Sequence, residues 1–134
     1  MNNRGVGMSE YRAALGVLIA LGSGSEPDEV TRATLQLRRE LAELDVESVG
    51  TPKTGEAPPG TRAAGLTALG ALVVNVAESQ VLTSVITTIQ SWLAASSRRS
   101  ARLELGGDVL ELTGVSSSEQ RRLTDEWLVR HAGR

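Results

Sequence analysis

Between Ala63 and Ser97 the chain carries a single charged side chain, Glu78, in thirty-five residues, although 22% of the whole sequence is charged. Such a run has three physical outlets: the buried backbone of a domain core, a self-association surface, or a segment that seeks a membrane. Its interior separates into two halves. Ala63 to Ala77 is built from small apolar residues, and Ala64, Ala68, Gly70 and Ala71 permit the close approach of a neighbouring element. Further on, Val81, Leu82, Val85, Ile86, Ile89, Trp92 and Leu93 recur at i, i+3/i+4 spacing, with Ser79, Thr83, Thr87, Gln90 and Ser91 largely opposite. That spacing predicts an amphipathic helix. Its β-branched residues lower helix propensity by a few tenths of a kcal/mol each, so tertiary packing must supply the balance. A membrane-crossing helix needs about 20 mostly apolar residues. No window of that length avoids several of Thr67, Asn75, Glu78, Ser79, Gln80 and Thr83. Docking on protein, the chain's own sheet or a second copy, is therefore the favoured use, and a membrane-associating module drawing on residues 64–95 is the alternative.

The flanking segments supply what such a region would dock on. Val17 to Leu21 is a short continuous apolar run bounded by Gly16 and Gly22, which predicts a strand buried on both faces. Ser25 offers an N-cap with Asp28 three residues on, Pro27 falls in the first turn, and Val30, Leu37, Leu41 and Leu44 follow at helical spacing. Asp45 to Thr51 fits a short second strand, and the strand-helix-strand order predicts a parallel pair with a right-handed crossover. Thr51 to Arg62, holding Pro52, Gly55, Pro58, Pro59 and Gly60, predicts a loop. Ser100 to Thr113 reads as a hairpin turning on Gly106-Gly107-Asp108. Ser116 to Glu119 has the form of a capping box, and Leu123, Trp127, Leu128 and His131 carry a last helix to the C-terminus. The expectation is an α+β domain over residues 14–134, after a tail at 1–13. Its order is β-α-β-(long α)-β-β-α, a four-stranded mixed sheet with helices packed on it.

Composition narrows the functional classes. The chain of 134 residues has no cysteine, so disulfides and thiolate metal sites are excluded, and His131 is its one imidazole. That argues against a zinc enzyme or a Ser/His triad, and neither a metal nor another cofactor is expected. A net charge of −2, two Trp, one Tyr and no Phe provide neither a footprint for phosphate backbones nor a platform for bases, so nucleic acid is not an expected partner. Thirteen Arg against the single Lys53 reads as high-GC coding. The N-terminal segment lacks the uninterrupted apolar stretch and cleavage site of a secretory signal, which predicts a cytoplasmic protein.

Three motifs bear on chemistry. Gly55 to Thr61 lacks a Walker Lys, does not form G-x-G-x-x-G and contains Glu56, so it reads as a stiff surface loop or a recognition element. Glu104 and Glu111, on facing strands of the hairpin, invite a carboxylate-pair reading but read as solvent-side residues near Arg102. His131 reads as a frayed helix-end residue beside the terminal carbonyls. None of these is assigned a catalytic role.

The pieces Thr34-Leu35-Gln36-Leu37-Arg38-Arg39-Glu40-Leu41, Leu44-Asp45-Val46-Glu47-Ser48-Val49, Gly55-Glu56-Ala57-Pro58-Pro59-Gly60-Thr61-Arg62, Ala68-Leu69-Gly70-Ala71-Leu72 and Val109-Leu110-Glu111-Leu112-Thr113-Gly114 come in this order along the chain. Together, from about Ala14 to His131, they resemble the effector-associated constant component one family. The resemblance implies a small non-enzymatic component of bacterial conflict (defence) systems, found with trypsin-like or caspase-like peptidases and with effector or sensor modules. It brings no catalytic residues. The expected role is an adaptor or scaffold working through protein-protein contacts, with a homo-oligomer as one form. Glu56, Pro58, Pro59, Arg62, Leu69, Val73 and Trp92 are the candidate contact residues.

Overall fold

Ala13, Leu15, Val17 and Ile19 are buried while Ala14, Gly16, Leu18 and Ala20 between them are not, a period of two that makes the first element a strand with two unlike faces. In the computed structural model, which describes residues 11–22, 24–52, 69–115 and 117–132, this strand is β1 (Ala13–Ala20). The chain continues through α1 (Pro27–Ala42), β2 (Ser48–Gly50), β3 (Leu69–Val76), α2 (Ser79–Ala94), β4 (Ser100–Leu105), β5 (Asp108–Thr113) and α3 (Ser118–Ala132). The strands form one sheet of five in the order β2-β3-β1-β4-β5, and every neighbouring pair is antiparallel.

The α+β class is as expected, and four details of the expected architecture are corrected. The sheet has five strands because Leu69–Val76, expected as part of a long helix, is β3. The predicted parallel pair does not form: β3 lies between β1 and β2 and pairs antiparallel with both. The first strand is not buried on both faces, since its even-numbered residues are half-buried or exposed. The first helix is entered at Glu26 rather than Ser25, and the Glu26 N–H donates to Glu29 Oε1 at 2.9 Å. That acceptor occupies one of the donors a helix start leaves without a partner.

Register places Leu15, Val17, Ile19, Leu72, Val74, Val76, Ala101, Leu103, Leu110 and Leu112 on one face, all of them buried. The same cluster takes in Ala33, Leu37 and Leu41 of α1, Trp127 of α3, and the full stripe of α2 expected from its spacing, Val81, Leu82, Val85, Ile86, Ile89, Trp92 and Leu93. The three described helices therefore cover a single face. Each large apolar side chain so buried gains about 1.5–3 kcal/mol, which outweighs the few tenths that β-branching costs α2. Two glycines set the closeness of this packing. A Cβ on Gly70 of β3 would collide with the Thr34 hydroxyl of α1, and a Cβ on Gly114, just after β5, would collide with the backbone at the end of α2.

The hairpin forms as expected. Leu105 pairs with Asp108, and Gly106 and Gly107 both have positive φ, 61° and 89°, the mirror-image turn that two glycines accommodate without strain. In α3 the cap is Ser117, whose Oγ accepts the Gln120 N–H at 3.1 Å. Ser116, expected as the cap, lies outside the described residues.

Candidate interaction surface and C-terminal clasp

The sheet face turned away from the helices is the first candidate site. Its residues follow from register. One row across the strands runs Gly50, Val73, Gly16, Glu104 and Val109, and the next runs Ala71, Leu18, Arg102 and Glu111. In these two rows the β3/β1 half is apolar, with Val73, Gly16, Ala71 and Leu18, and Asn75 of the neighbouring row borders it. The β4/β5 half is charged, with Arg102 3.8 Å from Glu111 in an exposed pair worth at most about 1 kcal/mol. Among the described residues nothing requires Gly16 and Gly50: a Cβ on Gly16 would meet only the Glu104 carbonyl oxygen, at 3.8 Å, and one on Gly50 would meet no described atom within 4 Å. Glycine inside a strand weakens it, so two glycines that local packing does not demand make a flat floor suited to close approach by another backbone.

The second candidate site gathers at the end of α3. Asp108, which closes the hairpin, accepts from Arg130 Nε at 2.8 Å and Nη2 at 3.3 Å and from His131 Nε2 at 2.6 Å. The fully buried Trp127 donates its Nε1–H to the Asp108 carbonyl at 3.4 Å, and its indole lies 4.6 Å from the His131 ring, tilted by 49°. Tyr11 donates its hydroxyl to the His131 carbonyl at 2.8 Å, and burial pushes its phenol pKa up, keeping it a donor. His131 is thus held on three sides rather than frayed, which corrects the sequence expectation. The adjoining cleft of about 490 Å³ is lined by Ser79, Gln80 and Thr83 as well as Tyr11, Arg130 and His131. Because its charged groups are engaged with one another, the cluster works as a clasp that ties the last helical turn to the hairpin and to the start of β1.

The Arg130 hydrogen bond, and after it the His131 one, hold the Asp108 carboxyl below the usual carboxylate range. A lowered folded-state pKa stabilises the fold fully above the unfolded value of about 4 and is lost as pH falls through the folded value. Replacing Asp108→Asn should therefore flatten the acid limb of the stability curve, most visibly below about pH 4. Thermal melts of both proteins from pH 2 to 7 would show it, and identical acid limbs would remove the clasp from the account.

The residues singled out in the sequence fall unevenly. Glu56, Pro58, Pro59 and Arg62 lie outside the described residues. The Leu69 backbone begins β3 opposite Ala20, and Val73 sits half-buried on the open face. Trp92 belongs to the core, only 2% exposed, with the Arg99 guanidinium over its ring at 4.4 Å. A surface contact there is Arg99's to make. Glu104 and Glu111 share the open face without facing one another, since Glu104 pairs with Val109. Leu18, Gly16 and Ala71 were missed as surface residues because an apolar strand with one open face looks, in sequence, like one buried on both.

No helix among the described residues is long and apolar enough to cross a membrane, and no group of three or more His, Asp or Glu among them is placed to hold a metal ion. Fold and site define an α+β protein with a one-sided antiparallel sheet. Compared with known proteins, the chain matches no family model, no curated protein and no solved structure.

Proposed function

We propose that this protein is a non-enzymatic adaptor of a bacterial conflict system and that the open sheet face is its docking surface. The observation that supports this most is the row through Val73 and Gly16: a flat, small-residue apolar patch flanked by Arg102, Glu104 and Glu111, with no described helix over it. Apolar centres with charged margins are what protein partners bury, the centre giving affinity and the margin selecting the partner. The partner class, a trypsin-like or caspase-like peptidase with its effector or sensor modules, comes from the resemblance to the effector-associated constant component one family. The apolar stripe of α2 is consumed by the core in this fold, which favours the sheet over that stripe as the docking surface.

Leu18→Lys and Val73→Lys place charge at the centre of this face on side chains that retain an outlet to solvent. Recovery of a peptidase component by the tagged protein from its own cells should fall at least about tenfold in each variant, the loss of one central contact. Melting temperatures should stay within a few degrees. Equal recovery by the variants would overturn the face, and absence of any peptidase with the unchanged protein would overturn the adaptor reading.

A further inference from the structure

On the helix-covered side a second cleft, of about 290 Å³, opens between α1 and the turn joining α2 to β4. Glu29, Arg32 and Gln36 reach it from one flank of α1, where spacings of three and four residues align side chains, and Arg98 and Arg99 reach it from the turn. Two of these cations are fixed in place. Arg98 donates from Nη2 to the Ser25 hydroxyl and to the Gly22 carbonyl. Arg99 donates from Nη1 to the Trp92 carbonyl at 2.6 Å and from Nη2 to Gln36 Oε1 at 3.4 Å, with its plane over the indole.

Every one of those acceptors is neutral. Arg12, Arg102, Arg122 and Arg130, by contrast, each lie against a carboxylate. A guanidinium has five N–H donors, and Arg98 and Arg99 spend two apiece on these contacts. Glu29 is the one carboxylate among the described lining residues, and its Oε1 is taken by the Glu26 N–H. The cleft therefore holds a net positive charge on forks already ordered by stacking and hydrogen bonds, so an incoming anion meets little of the usual ordering cost.

We propose that this cleft binds an acidic peptide segment through its carboxylates. Planar guanidinium forks match carboxylates two bonds at a time, Leu21 and Ala33 in the lining offer apolar surface to a peptide's aliphatic atoms, and Glu29 disfavours a densely charged phosphate. The site lies on the opposite side of the molecule from the open sheet face and does not depend on that face being a docking surface.

Fluorescence anisotropy with a fluorescein-labelled octapeptide of alternating Asp and Glu, added to the intact protein at low salt, tests the assignment. Its Asn/Gln counterpart and inorganic phosphate serve as parallel probes. The acidic peptide should bind, the neutral one should not, and Arg32→Ala or Arg98→Ala should each weaken binding about tenfold. Arg38→Ala, on α1 but outside the cleft lining, should leave it unchanged. All three arginines are exposed, so the variants should fold as the parent does. No binding of the acidic peptide, equal losses in Arg32→Ala and Arg38→Ala, or phosphate binding as tightly as the peptide would each overturn it.

Discussion

Replacing Gly114→Ala should destabilise the domain by about 3 kcal/mol, at the upper end for overpacking, because the groups in the way are backbone and cannot rotate aside. The added Cβ would stand 2.7 Å from the Leu93 carbonyl oxygen, 3.0 Å from Ser97 Cα and closer still to the Ser96 carbonyl oxygen. Gly114 also donates its N–H to the Arg99 carbonyl at 3.0 Å, so the strand end cannot retreat without giving up a hydrogen bond. In a domain of this size the loss corresponds to roughly 10 °C in melting temperature. Gly16→Ala is the matched control. Its Cβ meets only ordinary contact distance, so stability should hold or rise by a few tenths of a kcal/mol as the unfolded chain loses freedom. Urea titrations of both variants would check the pair, and a Gly114→Ala cost below about 0.5 kcal/mol would show that the α2-β5 junction is not closed as described.

Trp127→Ala should cost about 3–5 kcal/mol, the range for deleting a buried aromatic side chain. The effect should also be local. Among the described residues of α3 only Thr124 and Trp127 are buried, so one indole carries most of the helix's docking. Removing it also takes away the stacking partner of His131 and a donor to Asp108. Hydrogen exchange should show residues 118–132 losing protection by a larger factor than β1 and β3. Uniform loss across the sheet would instead mean that α3 and the sheet unfold as one unit.

These variants probe what was hardest to read in the sequence. The hairpin and the stripe of α2 were legible because local chemistry fixes them: paired glycines demand a particular turn, and seven apolar residues at helical spacing demand one buried face. β3 was not. In Leu69–Val76 both alternating sets are apolar except at Asn75, with Leu72, Val74 and Val76 facing the helices and Ala71 and Val73 facing out, so a single polar residue near the strand end is all that marks the period of two. The β-branched Val73, Val74 and Val76 were the available signal. Missing β3 removed one of the two neighbours of β1 and made a parallel pairing with β2 look natural, since consecutive strands lie side by side about two-thirds of the time. The site was obscured for the same reason, because the open face is defined by which side the helices choose. His131 was misplaced through a long-range partner: its spacing from Trp127 is visible in the sequence, whereas Asp108 reaches it from a turn twenty-three residues earlier.

The sheet face turned away from the described helices is the surface held to meet a protein partner. Photo-cross-linking tests this most directly, with benzoylphenylalanine introduced in separate proteins at Leu18 on the open face and at Leu123, an exposed position of α3 away from both proposed sites. Irradiated in the native cells and analysed by mass spectrometry, the Leu18 protein should form a covalent adduct with a peptidase, effector or sensor component while the Leu123 protein forms none. Adducts from Leu123 alone, or equal adducts from both positions, would contradict it.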